Sequence, residues 1–359
     1  MNEYTAEEDA CKEALLKEID AMREEVVKEP PSLEKPKEII KRLQKVADTY
    51  APKKDDGFPI KPICEISIDY FSKEPAEKPV LLSYIEKGDT KAKKIPFLHK
   101  EITAMIVAEG GRGKTHLCAH LACCITSGVP FLGNFEIRSP GAACFIVGEN
   151  NDQDIQRLLF KTRKHIAEML ELNETKGHEK FPTDGKELDR IEKLLYPVSI
   201  HGKQAALVDE NGKKTDFFYH LLKGLKREEP EEGFQLIIVD PASRFSGASA
   251  EKDNAIATAF IASLEEISDN LKGKPTILLS HHKSKAATKE SSGQGDARGS
   301  TALVDGCRWM ATMQKGKEKD TLLFDVAKTN FTPPIQTITI KKSWNGLLSF
   351  GGFVEKKIQ

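Results

Sequence analysis

Apolar positions along this chain follow two different rhythms. Before residue 60 they recur at helical spacing: Cys11, Leu15, Ile19, Met22 and Val26 form one narrow stripe, and Ile39, Ile40, Leu43, Val46 and Tyr50 form another. Thr5 and Glu8 stand at the spacing of a capping box ahead of the first stripe, and Pro30 with Pro31 ends it. The pattern predicts two short helices within residues 1–60 and a linker over 61–78, entered through the turn-rich segment APKKDDGFPIKP. Mixed charge on both helices reads first as the solvated surface of a small hairpin and second as a docking module for a replication partner.

From residue 79 the rhythm changes. After PVLLSY (79–84), the runs ITAMIVA (102–108), AACFIVG (142–148), QLIIVD (235–240) and TILLSH (276–281) are almost continuously apolar. Each ends in a polar turn, and most are followed by a stretch long enough for a helix. Strands without polar alternation are buried on both faces, as in a parallel sheet covered by helices on each side. The later runs TLLFDVA, IQTITIK and LLSFGGFVEK crowd together without room for helices and predict antiparallel hairpins at the sheet edge. The fold expected over 79–359 is therefore α/β, with a mainly parallel central sheet and a β-rich C-terminal tail.

Composition narrows the function classes. With 54 Lys+Arg against 55 Asp+Glu among 359 residues, the net charge is -1, which excludes a protein that coats nucleic acid through diffuse positive charge. No apolar run approaches the roughly 18 residues of a membrane span, and the opening MNEYTAEEDACKEALLKEID is too acidic for a signal peptide. Seven cysteines without a C-x-x-C pair read as reduced thiols. The expectation is a cytoplasmic protein with no structural zinc.

The strongest chemical signal is AEGGRGKT (108–115), which directly follows an apolar run and directly precedes a helical one. Strand, glycine-rich loop, Lys-Thr and helix together make a phosphate-binding loop, with residues 109–116 (Glu109, Gly110, Gly111, Arg112, Gly113, Lys114, Thr115, His116) as the nucleotide-binding segment. Lys114 brings a cation to the β- and γ-phosphates, and the Thr115 hydroxyl suits Mg²⁺. LIIVD ends on Asp240, a carboxylate placed to anchor the same Mg²⁺. Pro241 follows where many ring ATPases carry a glutamate, so the base must come from another strand end, and Glu149 in FIVGEN supplies it. Asn150 and Asp152 read as loop and helix-cap residues. Of His281 and His282 only one can face the nucleotide, because a strand alternates its faces. The polar loop after them carries Lys283, Lys285, Lys289 and Arg298, a local basic cluster suited to a nucleic-acid backbone.

The succession AEGGRGKT, FIVGEN, LIIVDPASRF, ILLSHHKSK, ARGSTALVDGCRW and VAKTNF resembles the RepA-like hexameric replicative DNA helicases, a branch of the RecA-type P-loop ATPases, over residues 79–345. The resemblance implies an ATP- and Mg²⁺-dependent hexameric ring acting on single-stranded DNA for a plasmid, phage or mobile element. It implies catalytic roles for Lys114, Glu149 and Asp240, a γ-phosphate sensor in His282, and an arginine finger in Arg308 that reaches a neighbouring subunit. Arg157, Arg244 and Lys328 fall at matching basic positions, and Lys283, Lys285 and Arg298 become DNA-binding candidates. Trp309 reads as a packing residue beside Arg308. A second class stays open: a RecA-type ATPase that acts as a switch or scaffold without unwinding DNA.

Overall fold

The computed structural model describes residues 74–354 apart from 87–92, 176–182, 248, 251, 284–300, 333 and 344–345. Nearly all of these belong to the second of two units into which the chain divides, Met1–Ala76 and Glu77–Gln359. The helices expected within residues 1–60, and Lys285, Lys289 and Arg298, lie outside the described residues.

Six strands form the parallel part of the main sheet: β3 (Thr103–Ala108), β5 (Ala142–Val147), β6 (Leu195–Ser199), β7 (Phe234–Asp240), β8 (Thr276–His282) and β9 (Trp309–Lys315). Three more continue it as antiparallel hairpins: β10 (Thr321–Thr329), β11 (Ile338–Lys342) and β12 (Leu348–Phe353). The spatial order is β12-β11-β10-β9-β3-β8-β7-β5-β6. Separately, β1 (Val80–Glu86), β2 (Lys93–His99) and β4 (Glu136–Ile137) make a small antiparallel sheet in the order β2-β1-β4.

The pleat sorts the core into two layers. In β3, Ala104, Ile106 and Ala108 face one cluster while Met105 and Val107 face the other. The first layer takes in helix α1 (Lys114–Ser127) with Leu117 and Leu121, α2 (Asp152–Thr175) with Ile155 and Ile166, and α3 (Glu187–Leu194) with Ile191. The second takes in α4 (Asp216–Glu228) with Phe218 and Leu225, and α5 (Asn254–Asp269) with Phe260, Ile261 and Leu264. Helices on both faces explain why the strands could be apolar on both. A short helix α6 (Thr301–Gly306) precedes β9.

The expected runs become β3, β5, β7 and β8, and the three late runs become the antiparallel β10–β12, as the spacing predicts. Strands β2, β4, β6 and β9 were not read from the sequence. β9 is the hinge between the two parts of the sheet, parallel to β3 and antiparallel to β10, yet its WMATMQK is mostly of types that also favour helices. β6 carries Pro197, which a central strand would not tolerate but an edge strand does. Trp309 packs as expected, its ring 5.6 Å from Phe97 and 6.3 Å from Phe324. Phe97 also meets Phe135 at 4.5 Å, so this aromatic cluster ties the small sheet to the antiparallel end of the large one. Cys118, Cys123, Cys124, Cys144 and Cys307 are buried free thiols.

α1 is buried almost all round because it lies between the sheet and α2 and α3. That position encloses His120, which accepts a hydrogen bond at Nε2 from the Leu132 N–H at 3.2 Å. The ring is therefore neutral with its proton on Nδ1. Burial holds its pKa down to about 3, with neighbouring His165 acting in the same direction. The unfolded chain takes up this proton near the ordinary histidine value of 6.5, so stability is full above 6.5 and is lost as pH falls toward 3. Urea midpoints measured between about pH 7.5 and about pH 5 are expected to fall for the native protein, since the two values bracket the unfolded titration. His120→Gln keeps an acceptor for Leu132 without a titrating ring, and should flatten the decline. An unchanged slope would assign the acid sensitivity to other groups.

Candidate active site

Four parallel strands bring their C-terminal ends to one cavity. β3 leads into the loop 109–113, β5 into Gly148 and Glu149, β7 ends on Asp240, and β8 ends on His282. The cavity has a volume of about 400 Å³, within the range of roughly 300–1,000 Å³ usual for small-ligand sites. Lys114, Thr115, Glu149, Asp240 and His282 all line it.

The loop's shape follows from its glycines. Gly111 (φ 72°) and Gly113 (φ 93°) are both left-handed, a conformation that costs other residues about 1–2 kcal/mol. A β-carbon at Gly110, Gly111 or Gly113 would meet no atom within 4 Å, so the loop surrounds open space. Gly113 caps α1 without any side-chain hydrogen bond, leaving the helix's first N–H groups for a ligand. Glu109, Gly110 and Arg112, expected among the nucleotide-binding residues, do not line the cavity. Arg112 Nε instead donates to Glu109 Oε2 at 3.0 Å, an ion pair that closes the outer side of the loop.

Lys114 is only 6% exposed. Its ammonium donates to the carbonyl oxygens of Ala108 at 2.9 Å and Glu109 at 3.2 Å, and stands 3.4 Å from His282 Nδ1. Burial pushes its pKa below the ordinary lysine value, and the charges of Asp240 and Glu149 oppose that shift. The cavity-facing member of the histidine pair is thus His282, while His281 is fully buried on the other face of β8.

Asp240 is almost wholly buried, and no side chain or N–H among the described residues hydrogen-bonds its carboxylate. A buried hard-oxygen ligand in that condition, lining one cavity with the Thr115 hydroxyl, fits Mg²⁺. Glu149 is exposed on a loop fixed from both sides. Gly148 N–H donates to the Asp240 carbonyl at 2.7 Å, and Ser199 Oγ donates to the Asn150 carbonyl at 2.8 Å. The cap of α2 falls to neither Asn150 nor Asp152: Asn151 Oδ1 accepts the Asp154 N–H at 2.9 Å, while Asn150 lines the cavity.

Several basic groups reach the cavity from elements with no motif of their own. Arg157 and Lys161 come from α2, and Lys342 comes from the end of β11. His116 lies among them, its pKa lowered by burial first and then by Lys342 and Lys161. The left-handed Gly346 packs on that ring, where a β-carbon would fall 3.1 Å from His116 Nε2. Arg244 is outside the cavity, its stem against Gly148 such that a β-carbon there would lie 2.9 Å from Arg244 Cγ. Lys328 donates to the Val304 and Asp305 carbonyls at 2.9 and 3.0 Å, at the end of α6. Lys283 leaves β8 with its N–H bonded to the Ala108 carbonyl at 3.0 Å.

Arg308 is not brought to this cavity. Its N–H bonds the Thr103 carbonyl at 2.9 Å, at the start of β3, whereas the phosphate loop follows the end of that strand. At about 3.3 Å per residue the backbone sites stand roughly 20 Å apart along the parallel strands.

The family comparison covers residues 93–288, more than half of the chain and all of the strand ends just described except those beyond β8. The chain belongs to the AAA domain family AAA_25. No curated protein matches it. A structure of a DnaB-like replicative helicase and its interactions with primase is similar over 97% of this chain and 76% of its own, with 11% identity and a TM-score of 0.51. A solved ATPase domain (14% identity, 72% and 86% coverage, TM-score 0.47) and the RadB recombinase (13%, 71% and 92%, 0.42) are also similar. The AAA domain here has the RecA-like P-loop NTPase fold, and the chain is a P-loop ATPase.

Nucleotide affinity should depend on charge and backbone separately. Lys114→Ala is expected to weaken a fluorescent ATP analogue about 10-fold or more, the loss of a charge-assisted hydrogen bond. Gly113→Ala introduces no clash, so any weakening reports the left-handed backbone alone. Native affinity in both variants would remove the loop from the binding site.

Proposed function

We propose that this AAA domain is a ring-forming motor that hydrolyses ATP and translocates on single-stranded DNA as a replicative helicase, serving a plasmid, phage or mobile element. The observation that carries the proposal is the meeting of Lys114, Glu149, Asp240 and His282 in one cavity while Arg308 stands at the opposite end of the sheet. Beside the cavity's own Arg157, Lys161 and Lys342, a guanidinium from a neighbouring subunit would add fixed charge where the phosphate charge spreads in the transition state. An arginine that cannot serve its own site is free to serve the next subunit's.

In this reading Lys114 leaves the carbonyls of Ala108 and Glu109 for the phosphates of ATP, exchanging neutral acceptors for charged ones. Thr115 and Asp240 would hold Mg²⁺, which when bound draws the β- and γ-phosphate oxygens together and neutralises their charge. Glu149 accepts the proton of the attacking water. His282, beside Lys114 and at the root of the loop that begins with Lys283, registers whether the γ-phosphate is present. Its position joins the chemistry to the segment proposed to contact DNA through Lys283, Lys285 and Arg298. The fold similarity to a DnaB-like helicase supports this reading. A hexamer is the assembly we propose, in the cytoplasm; among the described residues no helix is long and apolar enough to cross a membrane.

Subunit mixing tests the ring. Glu149→Gln should bind ATP and fail to turn over, and Arg308→Ala should lose about 10³-fold or more in rate, as removal of an arginine finger does. Mixed assemblies of the two should recover part of the activity, because some interfaces pair an intact Glu149 with an intact Arg308. Mixtures as inactive as either parent would exclude action between subunits. Separately, single-stranded DNA should accelerate hydrolysis, with an affinity that falls as salt rises. Lys285→Ala combined with Arg298→Ala should lower the ratio of stimulated to unstimulated rate toward one. Absence of stimulation at any salt would leave an ATPase that is no DNA motor.

A further inference from the structure

His201 follows β6, the edge strand of the main sheet, and belongs to no motif. Its ring nevertheless reaches across to the neighbouring strand's loop, with Nδ1 2.9 Å from the carbonyl oxygen of Glu149. A carbonyl can only accept, so Nδ1 carries the proton and donates it. The contact is on the residue whose side chain is the proposed base.

The surrounding bonds show what this one adds. Ile200 N–H donates to the Val147 carbonyl at 2.9 Å, ending the ladder between the two strands. Gly148 is tied to Asp240, and Asn150 is tied to Ser199. Ser199 Oγ in turn accepts the His201 N–H at 3.3 Å, which fixes the histidine's own backbone. The peptide plane between Glu149 and Asn150 has its carbonyl oxygen held by the imidazole. Anchoring that oxygen restrains the backbone of Glu149, and so limits how far the Cα that carries the carboxylate can shift.

We infer that His201 is a positioning residue, which orients the Glu149 carboxylate toward the attacking water by anchoring the Glu149 carbonyl. The inference rests on the reading of Glu149 as base. His201 is exposed and its bond is at the surface, so it adds little to folding. Its effect is on the aim of a group whose misplacement by about 1 Å can cost up to about 100-fold in rate.

Steady-state ATP hydrolysis by the full-length chain tests this with three variants. His201→Phe keeps a ring without a donor, and should lower kcat about 10-fold with little change in KM for ATP, the signature of lost alignment rather than lost binding. His201→Asn places an amide N–H near the position of Nδ1 and should restore most of kcat. Glu149→Gln is run in parallel, alone and combined with His201→Phe, and the double variant should be no slower than Glu149→Gln. Thermal midpoints of the single His201 variants should match the native protein. If Glu149→Gln is inactive while His201→Phe turns over at the native rate, the positioning role is overturned and the base stands. Equal loss in His201→Phe and His201→Asn, or a change confined to KM, also overturns it. If Glu149→Gln turns over at the native rate, the base assignment falls and the His201 role falls with it.

Discussion

A buried ammonium ion sets the terms for this active site. Lys114 sits at the start of a helix, almost out of water, and an unpaired charge in that position would be strongly unfavourable. Carbonyls of the loop itself compensate it, since Ala108 and Glu109 turn their oxygens inward to receive it. The chain can double back this tightly because Gly111 and Gly113 adopt left-handed backbone. The carboxylates of Asp240 and Glu149 favour the charged form from the other side, which is why strand ends bearing acids must lie beside the loop. A parallel sheet meets that condition, because all its C-terminal ends emerge together. Helices on both faces then follow from the sheet's doubly apolar strands.

Much of this was legible because each decisive residue ends a strand that announces itself. Ala108, Glu149, Asp240 and His282 all follow continuous apolar runs, so fold and site were read from the same segments. Residues outside such runs carry no mark of their own, and Arg157 is reached only through the family resemblance. Lys161 lies in the third turn of a long exposed helix, and Lys342 closes an antiparallel strand far along the chain. A lysine on a surface element carries no local mark of which cavity it overlooks. His201 was missed for a related reason, because it follows an edge strand whose Pro197 weakens the strand signal itself. β9 escaped because methionine and alanine do not declare a strand. Its neighbours on both sides impose the conformation.

The C-terminal hairpins do more than extend the sheet. β11 and β12 lie at the far edge in hydrogen-bonding order, yet the end of β11 brings Lys342 into the nucleotide cavity. Beyond it Gly346 lies on His116, where a β-carbon would fit only if the ring gave way by a few tenths of an ångström. Accumulated right-handed twist over successive strands gives a general reason why an edge hairpin can roof a site beside the sheet's centre. His116 is held toward its neutral form by burial and by Lys342 and Lys161, so it donates or accepts hydrogen bonds without adding charge.

The two ends of the parallel sheet carry different burdens. At the C-terminal end lie the loop, both carboxylates and His282, and backbone bonds between strand-end loops keep them in register: Gly148 to Asp240, Asn150 to Ser199. At the other end Arg308 is tied by its backbone to the first residue of β3, and Lys328 is tied to the carbonyls closing α6. Two cationic groups are thereby fixed to the rigid start of the same sheet whose finish forms the cavity. A rigid sheet transmits displacement without bending. In the ring we propose, movement of one subunit's Arg308 toward a neighbouring nucleotide would carry its own phosphate loop along, so that successive sites would be linked mechanically by the stiffness of β3 and β9 rather than by a flexible relay.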